Sequence, residues 1–117
     1  MSDRIRRNIP FLKALLQSRR KKQRKALIKV ASEDNIDAVA EGALNTLRGN
    51  VPLTATQKRR LSAHKDKIRK LAHKRISNKK KKTFLVQAGG FLPIFIPPLL
   101  SAAGALTGRV IASAAGI

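Results

Sequence analysis

The sequence predicts an all-α protein: a small two- or three-helix unit with basic, partly disordered arms and an apolar C-terminal tail. Three observations predict it. Apolar side chains recur at helical spacing over residues 36–47 behind a capping serine. A second capping signal at Thr54 and Gln57 opens another helical pattern, and charge falls in blocks along the chain. The 117 residues hold 26 Lys and Arg against 6 Asp and Glu, a formal charge of +20. So dense an excess of one sign opposes compaction until a polyanion neutralises it. Eleven cations lie in residues 1–31 and thirteen in 58–82, whereas residues 83–117 contain only Arg109. Four of the six acids, Glu33, Asp34, Asp37 and Glu41, fall within nine residues. These shifts divide the chain into a basic N-terminal helix or arm (1–31), an amphipathic helical hairpin (32–78), a lysine-rich linker ending in Gly-Gly (79–90) and a hydrophobic Pro/Ala/Gly tail (91–117).

The first helix is expected after Pro10, a residue tolerated in a first turn, because Phe11, Leu12, Leu15 and Leu16 follow at helical spacing. Then come Arg19, Arg20, Lys21, Lys22, Gln23, Arg24 and Lys25, six cations in seven positions. Such a run repels itself, so its helicity is expected to wait for phosphate contact. Ser32 reads as an N-cap, with Glu33 and Asp34 in the first turn where the helix dipole favours anions. Ile36, Val39, Ala40, Ala43, Leu44 and Leu47 make one apolar stripe, and Gly49 supplies a stop. Asp37 and Glu41 sit opposite that stripe. With no histidine, nucleophile or phosphate loop beside them they read as solubilising charge, and no enzyme is expected.

The helix begun at Thr54 is expected to run to about Ser77. Leu61, Ile68, Leu71, Ala72 and Ile76 form a thinner stripe suited to the first one, while Lys58, Arg59 and Arg60, with the lysines and arginines from Lys65 to Arg75, fan outwards. His64 and His73 are nine apart, which is not the spacing of a helical metal pair, and no metal or cofactor is expected. Lys79, Lys80, Lys81 and Lys82 follow. With residues 19–25 they match the pattern of nuclear import signals, as any phosphate-binding run would. The candidate nucleic-acid contacts are therefore Arg19, Arg20, Lys21, Lys22, Arg24, Lys25, Lys58, Arg59, Arg60, Lys79, Lys80, Lys81 and Lys82.

Composition sets the limits. There is no cysteine, which excludes disulfides, thiol nucleophiles and thiolate metal sites and leaves the redox compartment undetermined. Four Phe are the entire aromatic complement, so platforms for stacking single-stranded bases are scarce and duplex backbone is the favoured target. Only a modest core and weak intrinsic stability are expected. In the tail, Pro93, Pro97 and Pro98 are expected to break the first half of an uncharged run. Residues 99–117, roughly 28 Å as helix, carry Arg109 near the middle, which costs about 2.5–3.5 kcal/mol on insertion. Stable spanning is thus disfavoured, while surface insertion, membrane disruption or docking into a partner stay open. Residues 1–7 lead into no apolar core of signal-peptide length.

Gly89, Gly90, Phe91, Leu92, Pro93, Ile96 and Pro97, set after a basic stretch and before an Ala/Gly-rich tail, resemble the C-terminal part of the adenovirus minor core protein precursor, protein X or mu. The likeness covers residues 74–117. The whole pattern, lysine-rich and with the helix at residues 32–48, is similar to the form of that family in Polinton and adintovirus elements. The resemblance implies a virion core protein that condenses double-stranded DNA, in the virion and the host nucleus, with capsid proteins and an adenain-like protease as partners. It further implies processing after Gly90, with Gln87, Gly89, Gly90 and Phe91 as the recognition residues; two glycines let an extended backbone enter a narrow cleft. A membrane-active peptide precursor, making transient contact through 91–117, and a small RNA-binding protein remain the other two readings.

Overall fold

A computed structural model describes residues 2–104, and these are helical almost throughout, with no β-strand among them. The helices are α1 (Asp3–Arg7), α2 (Ile9–Gln17), α3 (Lys21–Lys29), α4 (Glu33–Leu47), α5 (Ala55–Ser62), α6 (Lys65–Ala72), α7 (Asn78–Ala88) and α8 (Leu92–Ala102), with a 3-10 turn at Gly89–Phe91. The all-α expectation holds. The two- or three-helix unit does not describe the packing, because among the described residues eight helices share one core.

Local chemistry fixes most boundaries. Ser2, Ser32, Thr54 and Ser77 cap α1, α4, α5 and α7, each side chain accepting a hydrogen bond from a backbone N–H three residues on. In α4 and α5 the cap is reciprocal, with Asn35 and Gln57 reaching back to the N-cap backbone. α4 ends in a Schellman arrangement: Gly49 has φ 79°, and the N–H of Asn50 donates to the carbonyl of Asn45 at 2.9 Å. Helix α2 starts with Pro10 in its first turn, as expected.

α4 lies at the centre. It packs most extensively on α6 and then on α1 and α7. Ile36, Val39 and Ala43 are buried as the apolar stripe requires, but Ala38 and Gly42 are buried as well, and Ala40, Leu44 and Leu47 only half. Burial thus spreads onto a second flank. On that flank Gly42 admits α8: a Cβ there would stand 2.7 Å from Leu99 Cδ1. The helix expected from Thr54 to Ser77 divides at Ala63–His64 and stops at Ala72, because its halves serve different partners. α5 packs on α8 and α6 on α4.

The expected arms and tail are also revised. Ile5, Leu12, Leu15 and Ile28 from the N-terminal segment join the same buried cluster as Ile36, Ile68 and Leu71. α3 folds because Ile28 is fully buried in that cluster as the helix packs on α7, which stabilises a cation-rich helix without phosphate. The lysine-rich linker is helix α7, and α7 to α8 form one run, Asn78–Ala102. α8 continues through Pro97 and Pro98. Each proline costs about 3 kcal/mol in a helix interior. Phe95, Ile96, Leu99 and Leu100 are fully or almost fully buried, each contributing about 1.5–3 kcal/mol, so packing outweighs the lost bonds. The rest of the expected tail, with Arg109, lies outside the described residues.

Candidate nucleic-acid interface

The placement of the acids decides which cations remain free. Asp34 receives Arg7 at 3.1 Å, Arg4 at 3.4 Å and the Asn8 side-chain amide at 2.9 Å. The Asn8 bond and then the Arg7 guanidinium hold the Asp34 carboxyl below its usual value. Asn8 is itself buried and accepts from Asn35 at 2.6 Å. On another side of the acidic island, the Asn78 amide donates to Glu33 at 2.6 Å and to Asp37 at 2.8 Å. These acids are not merely solubilising. They seat α1 and the start of α7 on α4.

With the acids so engaged, the cations of three helices come together. α7 lies between α3, on which it packs, and α6, whose Lys70 Nζ sits 4.6 Å from the centre of the Phe84 ring. α3 presents Lys21, Lys22, Lys25 and Lys29, which line one shallow depression. Lys29, Lys79 and Lys82 line a second cavity of about 590 Å³ between α3 and α7, which also includes Glu33 and Thr83. Lys79 and Lys80 are exposed on the outward side of α7, and Lys70 is exposed on α6. The two basic runs, more than fifty positions apart in sequence, therefore form one face.

Not every sequence-predicted contact belongs to it. Arg19, Arg20, Lys21 and Lys22 are exposed, and Lys25 is half-buried. Arg24 turns inward instead: its Nε is buried without a partner beside Gly89. Lys81 is 5 % exposed, and burial pulls its pKa down while Asp37 opposes the shift. Lys82 Nζ donates to the carbonyl of Ala31 at 2.9 Å, closing the end of α3. Arg24 and Lys81 are thus committed to the fold, and Lys82, though it lines the cavity, spends its ammonium on Ala31, because α7 must turn one side to the core and another to α3. Lys58, Arg59 and Arg60 sit on α5, whose main partner is α8, and form a separate patch with Arg59 and Arg60 exposed. Lys29 and Lys70 are the contacts missed by reading runs alone. The i, i+4, i+8 spacing of Lys21, Lys25 and Lys29 was the available signal for Lys29.

Gln87 and Gly90 are exposed, but Gly89 and Phe91 are buried and the segment is a 3-10 turn, not the extended strand a protease cleft requires. Phe91 stacks on His64 with ring centres 5.8 Å apart and packs against Phe95. The His73 Nδ1 accepts from the backbone N–H of Arg75. Among the described residues no group of His, Asp or Glu is arranged to hold a metal. No family model, curated protein or solved structure matches the chain.

Proposed function

We propose that this protein binds and condenses double-stranded DNA without sequence preference, as a virion core protein of the adenovirus-like kind, acting in the host nucleus and in the particle. The observation that carries the reading is the face built by α3, α7 and α6, on which lysines outnumber the two acids Glu33 and Asp66, while Asp34 and Asp37 are held by α1 and Asn78. Residues 2–104 hold 25 of the 26 cations and all six acids. That net charge neutralises roughly ten base pairs of duplex at about two phosphates per pair. Backbone contact suits the aromatic inventory as well: Phe91 and Phe95 are buried in the core, leaving Phe11 and Phe84, both half-buried, as the remaining rings. A reader of single-stranded bases needs more exposed stacking surface.

Duplex titrations over a salt series test the reading. Affinity should fall steeply with salt and differ little between unrelated sequences. Lys25→Glu with Lys80→Glu should reduce the salt slope by about two or more, and more than Arg59→Glu with Arg60→Glu if the three-helix face is the main contact. A flat salt response, or tighter binding to structured RNA than to duplex, would exclude it.

Processing after Gly90 by an adenain-like protease, in contact with capsid proteins, belongs to the same reading. It requires the Gly89–Phe91 turn to open first. Mass spectrometry of assembled particles tests it, and intact chain throughout would count against maturation. The run Asn78–Ala102 is long enough to cross a membrane and its most apolar 18-residue window has mean hydropathy 1.6, but half of that window is buried inside the protein. Dye release from liposomes by the folded chain would favour the membrane-active reading instead.

A further inference from the structure

A positive face of this kind invites a control that changes its charge, and the sequence offers three hydroxyls with cations both two and three positions before them. Ser62 follows Arg59 and Arg60, Ser77 follows Lys74 and Arg75, and Thr83 follows Lys80 and Lys81. Two cations at those positions are the charge pattern by which basophilic protein kinases choose substrates, through acidic pockets beside an extended peptide. The structure separates the three. Ser62 lies in the last turn of α5, and Leu61 beside it is 0 % exposed, so an extended substrate could form only by pulling a core residue out. Thr83 is inside α7 with Lys81 buried at its −2 position.

Ser77 is placed differently: it precedes α7, and its neighbours Ile76 and Asn78 are half-buried and outside the fully buried core. Residues 73–77 connect α6 to α7 and lie outside both helices. Lys74, Arg75 and Ser77 are exposed, and Ser77 already has extended backbone, φ −65° and ψ 156°. Inside the connector only two hydrogen bonds, each 3.2 Å long, run back to His73. We propose that Ser77 is a phosphorylation site for a basophilic serine kinase and that phosphate there weakens the grip of the adjoining basic face on polyanions. The Ser77 Oγ attacks the γ-phosphorus of the kinase's Mg-ATP. The Oγ–P bond forms, the bond to the bridging oxygen of ADP breaks, and the hydroxyl proton passes to the kinase's base.

The position makes the charge count. Ser77 is the N-cap of α7, its Oγ accepting from the Lys80 N–H at 3.2 Å. A phosphate at that end, carrying about −1.5 to −2, is held by the first-turn N–H groups and draws in the ammonium groups of Lys79 and Lys80. Cations that pair with it no longer release counterions from DNA. The effect on DNA rests on the function proposed above; the modification itself does not.

Incubation of the full chain with Mg-ATP and a kinase that selects cations at −3 and −2, followed by mass-spectrometric site mapping, tests the site. Phosphate on Ser77 in the wild type and in Ser62→Ala, and its loss in Ser77→Ala, is the expected result. Phosphate confined to Ser62 or Thr83, or none at all, overturns it. Duplex affinity at ~0.15 M salt should then fall about tenfold on phosphorylation, with a salt slope shallower by about one to two. Equal affinity of modified and unmodified chain overturns the effect on the face. An unmodified chain that ignores duplex refutes the DNA reading and leaves the mapped site standing.

Discussion

Lys80 and Lys81 are sequence neighbours with opposite environments, since a helix rotates successive side chains by about 100°. One is exposed and the other buried against α4 with its pKa lowered. The folded state therefore holds the Lys81 proton less tightly than the unfolded chain does. Its unfavourable contribution is full below the lowered value and is relieved as pH rises through that value toward 10.5. Lys81→Met should accordingly raise the thermal midpoint at pH 7 and narrow its advantage over wild type as pH climbs, while duplex affinity barely changes. Lys80→Met should do the reverse, weakening binding at constant stability. A loss of affinity in Lys81→Met equal to that in Lys80→Met would mean that Lys81 reaches the ligand after all. Gly42 supplies a second residue-scale test. Gly42→Val places carbon atoms where Leu99 now sits, and should cost about 2 kcal/mol in denaturant unfolding. Gly42→Ala should cost less, because alanine recovers up to about 1 kcal/mol of helix propensity.

At the scale of elements, α1 and α7 are attached to α4 by polar side chains in which acid and amide are matched. Asn78→Ala removes both bonds to Glu33 and Asp37 and leaves the two carboxylates facing each other across the gap. About 1 kcal/mol should be lost, discounted for partial exposure, with faster amide exchange at the start of α7 as the local readout. Asp34 gives the pH counterpart for α1: its pKa is lowered below 3.8, so its stabilisation is present above that value and disappears as pH falls through the folded pKa. These elements also show what the sequence makes legible. Ser32 and Thr54 announce α4 and α5 because capping is decided by residues three apart, and the Gly49 stop is equally local. The Ala63–His64 break, the burial of Ile5 and Ile28, and the continuation of α8 past Pro98 depend on partners dozens of residues away. The same applies to the site. Its lysines are visible as runs, but which of them face outward depends on α7 being wedged between α3 and α6.

For the whole molecule, charge and stability oppose each other. So large an excess of positive charge repels itself, and salt screens that repulsion, with a Debye length near 10 Å at 0.1 M and about 3 Å at 1 M. Added sodium chloride should therefore raise the melting temperature of the free protein and, in the same range, weaken its hold on duplex. Falling midpoints with salt would show that attraction between unlike charges, as at Asp34, dominates the fold. The buried seat of α8 has a further consequence. Phe91, Leu92, Phe95, Ile96, Leu99 and Leu100 are all anchored inside the core, so severing the backbone between Gly90 and Phe91 changes connectivity before it changes shape. The product would be a nicked, two-piece particle held by fragment complementation, and how quickly the smaller piece departs would be set by its dissociation rate and not by hydrolysis.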